Sequence, residues 1–427
     1  MFKTAFASAL IAATGVAQLD DEIAWTPAAR FNAGSPAFAS VTNFKGGDDF
    51  ILFSTFNAFR PGHIKMVRGV KDAVINGTVD QLSPTKLNTG DLQWPNDVRV
   101  VPHDVFNTNA IHIPDGFLVP GHANGGVYVV EVGASNETRV KRTVTLTTNT
   151  DGYFYHMGQW IDMNGDGLVD FVTAKSNAKN GGGRLVWLEH PVGGLDVENW
   201  TEHVITEGPD VGIKIVDFPE YPNEIVVFAA EFFNQALSVQ RVSTVDGSLV
   251  ARGIIDDTEI LDAYSVDYVD LNSDGQYQLL VNNHEKKQDT NGIWTYSVPA
   301  DIINGHYEKN TVATGFKNVF SITVPGMSPG FPYAVWPKTA SEGTERAHII
   351  VAGDGDYAFH AYHPNGDASI FNYGETLKID YQGTIGSLAW SDLDEDGWLE
   401  VWVPNYDGGY IEMIKTSPAS NAATYIQ

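Results

Sequence analysis

The stretch Asp162–Asp170, "DMNGDGLVD", returns as "DLNSDGQYQ" at 270–278 and as "DLDEDGWLE" at 392–400. Acidic side chains at alternate positions suggest the calcium loop of an EF-hand, but that loop needs a bidentate Glu at its twelfth position and flanking helices. Here the twelfth residue is Thr173, Val281 or Val403. The flanks are apolar and β-branched: "YHMGQWI" (155–161) precedes the first copy and "FVTA" (171–174) follows it. The unit therefore reads as strand, acidic turn, strand, then a loop and a third strand such as "GRLVWLEH" (183–190).

Weaker copies lacking the acidic turn appear once that template is laid along the chain. They are "DDFILFSTFNAFRPGHIKMV" (48–67), "DGFLVPGHANGGVYVVEV" (115–132), "NEIVVFAAEFFNQALSVQRV" (223–242) and "AHIIVAGDGDYAFHAYH" (347–363). With the three strong copies they make seven units of roughly 55–60 residues, the spacing of a propeller blade. The fold class predicted is all-β, a seven-bladed β-propeller filling residues 18–427 as one domain, with no helical periodicity anywhere. A β-solenoid would need shorter and more uniform repeats. A closed ring also manages the edge-strand problem without disulfides, since it leaves only short, protected sheet edges.

The first residues, "MFKTAFASALIAATGVAQ", combine a lysine, a short apolar run and small residues before Ala17, the pattern of a secretory signal peptide over residues 1–17. We therefore expect a secreted, extracellular protein with no membrane span. The sequons at Asn76, Asn136 and Asn199 suit a glycoprotein of that compartment. With no cysteine, disulfides and every thiol mechanism are excluded. A net charge of −27 argues against nucleic acid or an anionic membrane as partner. Nothing reads as a partner-binding stripe, so a monomer is expected.

Asp162, Asn164, Asp166, Asp170 and the Leu168 carbonyl offer hard oxygens around a tight turn, which suits Ca²⁺. The third loop offers Asp392, Asp394, Asp396, Glu400 and the Trp398 carbonyl. The second offers Asp270, Asn272 and Asp274 but ends in Gln278, so its affinity is expected to be lower. An Asx-turn without metal is the plain alternative for each. These loops resemble the FG-GAP/VCBS-type calcium repeats of secreted propellers, which implies a metal that joins the first strand of a blade to the second as a structural clip.

Blade topology assigns sides. If the acidic turns occupy one face, the clip face, the other face collects the loops between second and third strands and the starts of the first strands. His63, His122, His156 and His284 all map to this open face, with Arg60, Lys175, Trp94 and Asn96, while His103 falls on the clip face and is left aside. Aromatic rings, amides and cations together suit a carbohydrate bearing carboxylates. Imidazole suits the proton transfers of a lyase. A glycoside hydrolase needs a carboxylate pair, and Glu231, Asp354, Asp356 and Asp407 sit in different units. A calcium-dependent lectin remains open too, although loops that differ from unit to unit favour one asymmetric pocket over repeated sites.

The leader, "VPGHANGGVYVV", "YFYHMGQW" and the DxNxDG loops together resemble fungal propeller-fold polysaccharide lyases, most closely the L-rhamnose-α-1,4-D-glucuronate lyases that trim gum arabic side chains. The resemblance implies an acidic plant polysaccharide as substrate, anti-β-elimination at a glucuronate with one histidine as base and acid, and a calcium ion near the axis whose ligands the sequence does not single out. We place that histidine at His122, which sits between two glycine-bearing turns that could project it over the axis, with His63, His156 and His284 as substitutes and Arg60 before Lys175 as the carboxylate partner.

Overall fold

The computed structural model describes residues 23–57, 60–117, 122–148, 151–177, 181–319, 327–366 and 371–419. The expected signal peptide, 1–17, lies outside the described residues. Seven four-stranded antiparallel sheets form a seven-bladed β-propeller. Blade 1 is built from Pro36–Thr42, Phe50–Asn57, Arg60–Val67 and Thr85–Lys86, and blade 2 from Arg99–Val100, Ala110–Pro114, Gly126–Val132 and Val140–Thr148. Blade 3 runs Tyr153–Ile161, Asp170–Asn177, Gly183–Glu189 and Thr201–Glu207; blade 4 runs Gly212–Val216, Glu224–Glu231, Ala236–Ser243 and Leu249–Asp256. Blade 5 is Ala263–Val269, Gln278–Asn283, Gly292–Ser297 and Glu308–Thr314; blade 6 is Pro332–Val335, His348–Ala352, Ala358–Asn365 and Asn372–Asp380.

Blade 7 takes three strands from one end of the described chain, Ala389–Ser391, Glu400–Asn405 and Tyr410–Pro418, and its outermost strand from the other, Ile23–Asn32. Ile23 pairs with Pro418 and Asn32 with Tyr410, with a bulge between Pro27 and Ala29. Six of the seven repeat units thus supply the second and third strands of a blade; the unit at 115–132 supplies only the third, Gly126–Val132, because the second strand of blade 2, Ala110–Pro114, lies just before it. Their near-continuous apolar runs follow from sandwiching each blade between two neighbours: Asp170–Asn177 is buried along its whole length, whereas the fourth strand Thr201–Glu207 is mostly open to solvent. The core is accordingly seven clusters, one at each junction, such as Phe31, Phe53 and Trp402 between blades 7 and 1 and Val101, Tyr155 and Phe171 between blades 2 and 3.

The expectation of no helix is corrected at two places. Val70–Asn76 forms a helix on the clip face because Val70, Ala73 and Val74, spaced i, i+3, i+4, bury one short apolar stripe. His103–Phe106 forms a single turn in blade 2, also on the clip face. Among the described residues no helix is long and apolar enough to cross a membrane.

Candidate functional site

The three acidic turns lie between first and second strands, on one face of the disc, and share one geometry. The leading aspartate accepts the N–H of the sixth-position glycine: Asp162 from Gly167 at 3.0 Å, Asp270 from Gly275 at 2.8 Å, Asp392 from Gly397 at 3.0 Å. Those glycines sit at φ of 86°, 82° and 90°, a region that side chains with a Cβ disfavour. The fifth residue, Asp166, Asp274 or Asp396, accepts the N–H two residues on.

The ninth residue behaves differently from a surface ligand. Asp170, Gln278 and Glu400 are all buried, and each accepts the N–H of the residue after the leading aspartate: Met163 at 2.7 Å, Leu271 at 3.0 Å and Leu393 at 2.8 Å. Those three residues plug the core between blades. Asp170 takes a second backbone N–H, from His190 at 2.7 Å. Because an amide serves at 278 as a carboxylate does at 170 and 400, this position is a latch holding the turn to its blade.

The cations around the loops differ. In the third, Asp392, Asp394 and Glu400 bring carboxylate oxygens within 4.8 Å of one another, and among the described residues no other such trio occurs, on the axis or elsewhere. Lys415 enters that cluster, with Nζ 2.5 Å from Asp394 and 3.4 Å from Glu400. Burial, then the charges of Asp394 and Asp396, pushes Glu400 up to about 7. In the second loop Arg346 donates to Asn272 at 3.0 Å.

On the opposite, open face an axial cavity of about 90 Å³ closes on an aromatic floor. Its wall is a file of rings from three neighbouring blades: Phe117 stacks on Trp94 (5.1 Å), Trp94 on Phe56 (4.1 Å), and Tyr406 leans on Phe56 (5.5 Å) with its hydroxyl donating to the Phe56 carbonyl. Trp94 is set by its own backbone. Buried Asp115 accepts the N–H groups of Gln93 and Trp94 at 2.8 and 2.6 Å. Burial nonetheless raises Asp115 to about 6. Asn96 donates to the carbonyls of Gly116 and Tyr155 and so ties blade 2 to blade 3. Its Oδ1, buried at the cavity wall, meets no donor among the described residues.

Across the cavity, Tyr264 stacks on His284 (4.4 Å) and on Phe331 (4.9 Å). His284 Nδ1 lies 3.0 Å from the Pro329 carbonyl, and its Nε2 lies 3.6 Å from Asp354 Oδ2. Burial lowers His284 to about 4; burial first, and then the charge of Asp407, raises Asp354 to about 7. Between those values both groups are neutral. No Lys or Arg is among the described residues lining this cavity.

The structure thus brings Trp94, Asn96 and His284 into one cavity. His122 stands half-buried beside it, its ring edge-on to Trp94 at 5.9 Å and its carbonyl accepting the Phe117 N–H. Residues 118–121 of that loop lie outside the described residues. Arg60 is exposed on the same face, at the start of a strand whose partner Asn57 follows Phe56. Three expected members lie elsewhere. Lys175 is buried and paired with Glu202 of its own blade's fourth strand at 2.5 Å. His63 turns toward Lys86 of blade 1's fourth strand, 3.2 Å away. His156 is three residues into its strand, roughly 10 Å at the usual rise per residue, and lines the clip-side cavity below the floor.

That floor was missed. Phe38 and Phe331, with ring centres 6.2 Å apart, line both the open-face and the clip-side cavity. A sequence signal exists: each ends a Ser-Pro-x-Phe run, 35–38 and 328–331, leading into a first strand.

No protein-family profile matches the chain, and no curated protein matches it. Among solved structures it is similar to the N-terminal domain of Nup159, at 9% identity and TM-score 0.52 over 93% of this chain and 96% of that one. It is also similar to the Dos1 propeller, at 9% identity and TM-score 0.48 over 92% and 95%. The likeness is one of fold alone.

Proposed function

We propose that this protein is a secreted polysaccharide lyase that cleaves a deoxy-sugar cap from a glucuronate of an acidic plant polysaccharide. The observation that carries the reading is the open-face cavity: an aromatic recess with no Lys or Arg among its described lining residues, holding the neutral His284–Asp354 pair. A carboxylate entering it would lose its hydration with no cation among the described lining residues to meet it, at a cost of several kcal/mol. A neutral ring with an apolar edge, such as rhamnose with its methyl group, suits it instead. Its hydroxyls meet Asn96 Oδ1, His284 and Asp354, and its carbon face meets the Trp94 file. At about 90 Å³ the recess takes only the leading edge of one ring.

The charged glucuronate then stays at the rim, where Arg60 supplies a cation and His122 an imidazole. His122 removes the C5 proton; the released electron pair forms the C4–C5 double bond as the C4–O bond breaks, and the imidazolium protonates the departing oxygen. The carboxylate held by Arg60 shares the charge that develops at C5. The reading is tested by incubating the protein with gum arabic while following ultraviolet absorbance and free rhamnose. A 4,5-unsaturated uronate appearing with rhamnose is the expected result. New reducing ends without the chromophore would replace elimination with hydrolysis, and binding without either product would make the protein a lectin.

Calcium belongs to the clip face in this reading, held by Asp392, Asp394, Asp396, Glu400 and the Trp398 carbonyl, and next by Asp162, Asn164, Asp166 and the Leu168 carbonyl. Bound there it supplies stability, about 2.7 kcal/mol at a hundredfold excess over Kd. The buried, orphaned Oδ1 of Asp392 fits such an ion. Lys415 competes for the same oxygens. In calcium titrations of the thermal midpoint, Lys415→Met is expected to reach half-effect at lower calcium than the wild type, and Asp392→Asn to lose most of the shift. Equal curves for all three would remove calcium from this loop.

A further inference from the structure

The clip-side end of the axial channel holds chemistry that cleavage at the open face does not use. Below the Phe38–Phe331 floor lies a cavity of about 310 Å³, lined by first strands of all seven blades. Two ion pairs border it: Arg99 Nε to Asp97 Oδ1 at 2.8 Å, and Lys214 Nζ to Asp267 Oδ1 at 2.6 Å. Tyr333 and Trp390 pack there at 4.9 Å, and the buried His156 ring borders it, edge-on to Phe38 and Tyr264.

Donors outnumber acceptors in this ring. A guanidinium carries five N–H groups, and both bonds that Arg99 makes to Asp97, at 2.8 and 3.0 Å, come from Nε. The Arg99 side chain is 59% exposed, so its terminal fork is reachable from solvent. Asp97, by contrast, has His112 3.8 Å away as a second partner, and Asp267 Oδ1 already accepts the Tyr268 N–H. A cation would meet two ammonium-type groups whose carboxylates are occupied. A neutral sugar would leave the guanidinium fork unmatched.

The geometry points to a second binding site at this end of the channel, for a small hydroxylated carboxylate such as a sugar acid. The carboxylate sits on the Arg99 fork in the bidentate arrangement that guanidinium favours. A carbon face lies against Trp390 and Tyr333, and hydroxyls meet Lys214 and the His156 imidazole. Burial lowers His156 to about 4, which leaves that ring neutral and able both to donate and to accept from mildly acid to neutral pH. The volume stands at the lower bound of ligand pockets, about 300 Å³, room for one ring.

The site does not depend on the cleavage reading, and one set of proteins separates the two. Calorimetric titration of the full chain with D-glucuronate is expected to show binding, with D-glucose at least tenfold weaker. Arg99→Gln and Lys214→Gln are each expected to weaken glucuronate at least tenfold, whereas Arg60→Gln, which removes the open-face cation, weakens it less than twofold. Gum arabic cleavage in the same Arg99→Gln sample stays at the wild-type level. If Arg99→Gln fails to give the wild-type circular dichroism, Lys214→Gln carries the test. Absence of glucuronate binding, equal binding of glucose, or loss in Arg60→Gln with retention in Arg99→Gln and Lys214→Gln would each overturn the proposal.

Discussion

His122→Ala is expected to abolish release of the unsaturated uronate from gum arabic, lowering kcat by about 10²–10⁴-fold, the usual contribution of a positioned acid–base group. His284→Ala is expected to act on the other parameter. It removes a partner for the cap's hydroxyls and leaves Asp354 buried beside them, a loss of about 1–3 kcal/mol, or roughly five- to 150-fold in KM, with kcat retained. Steady-state kinetics of the two variants read this split directly. Loss of kcat in His284→Ala with retention in His122→Ala would move the base from the rim into the recess. The pH profile adds an independent sign. As pH rises through about 7 Asp354 ionises, and as it falls through about 4 His284 protonates. Either charge must lose hydration when a neutral ring enters, so KM is lowest between those values and climbs on both sides.

Asp170→Ala is expected to cost more stability than any other single change in the acidic turns. It leaves the buried N–H groups of Met163 and His190 without acceptors, about 1–3 kcal/mol each. Asp170→Asn keeps one acceptor oxygen and is expected to lose about half as much. Asp166→Ala, exposed at the tip of the same turn, is expected to cost under about 1 kcal/mol in chelator. Denaturant midpoints with excess chelator distinguish a latch from a metal ligand. An Asp170→Ala midpoint no lower than that of Asp166→Ala would return position 170 to the role of ligand.

Much of this architecture is written in local pattern. The second and third strands are legible because sandwiched blades need runs such as "FVTA" and "LLVNN", and the turns because few peptides other than Asp-rich ones with a left-handed glycine bend so tightly. Depth along a strand is less legible. His156 and the open-face residues begin the same kind of first strand, yet three residues carry His156 past the aromatic floor. Loop membership points Lys175 and His63 toward the site, whereas alternation along their strands sends them sideways toward fourth-strand partners, Glu202 and Lys86. Asp170 and Asp166 are the same residue type four apart, and only the shared geometry of Gln278 and Glu400 separates latch from tip. The outermost strand of blade 7 was invisible for a different reason: "IAWTPAARFN" gives no local hint that its partner lies at the far end of the chain.

That last pairing sets an order of events during synthesis. Trp25 and Phe31, which are buried only against blade 7 and its neighbours, emerge early, but Tyr410–Pro418 is made roughly 380 residues later, a delay of about 20–75 s at ordinary translation rates. Six sheets can assemble in that interval while the seventh waits with both its margins open. A chain that stops short of Tyr410 never covers its first strand and keeps those apolar side chains on display. Ring closure therefore works as a checkpoint, passed only once translation has gone beyond the strand that pairs with Ile23–Asn32.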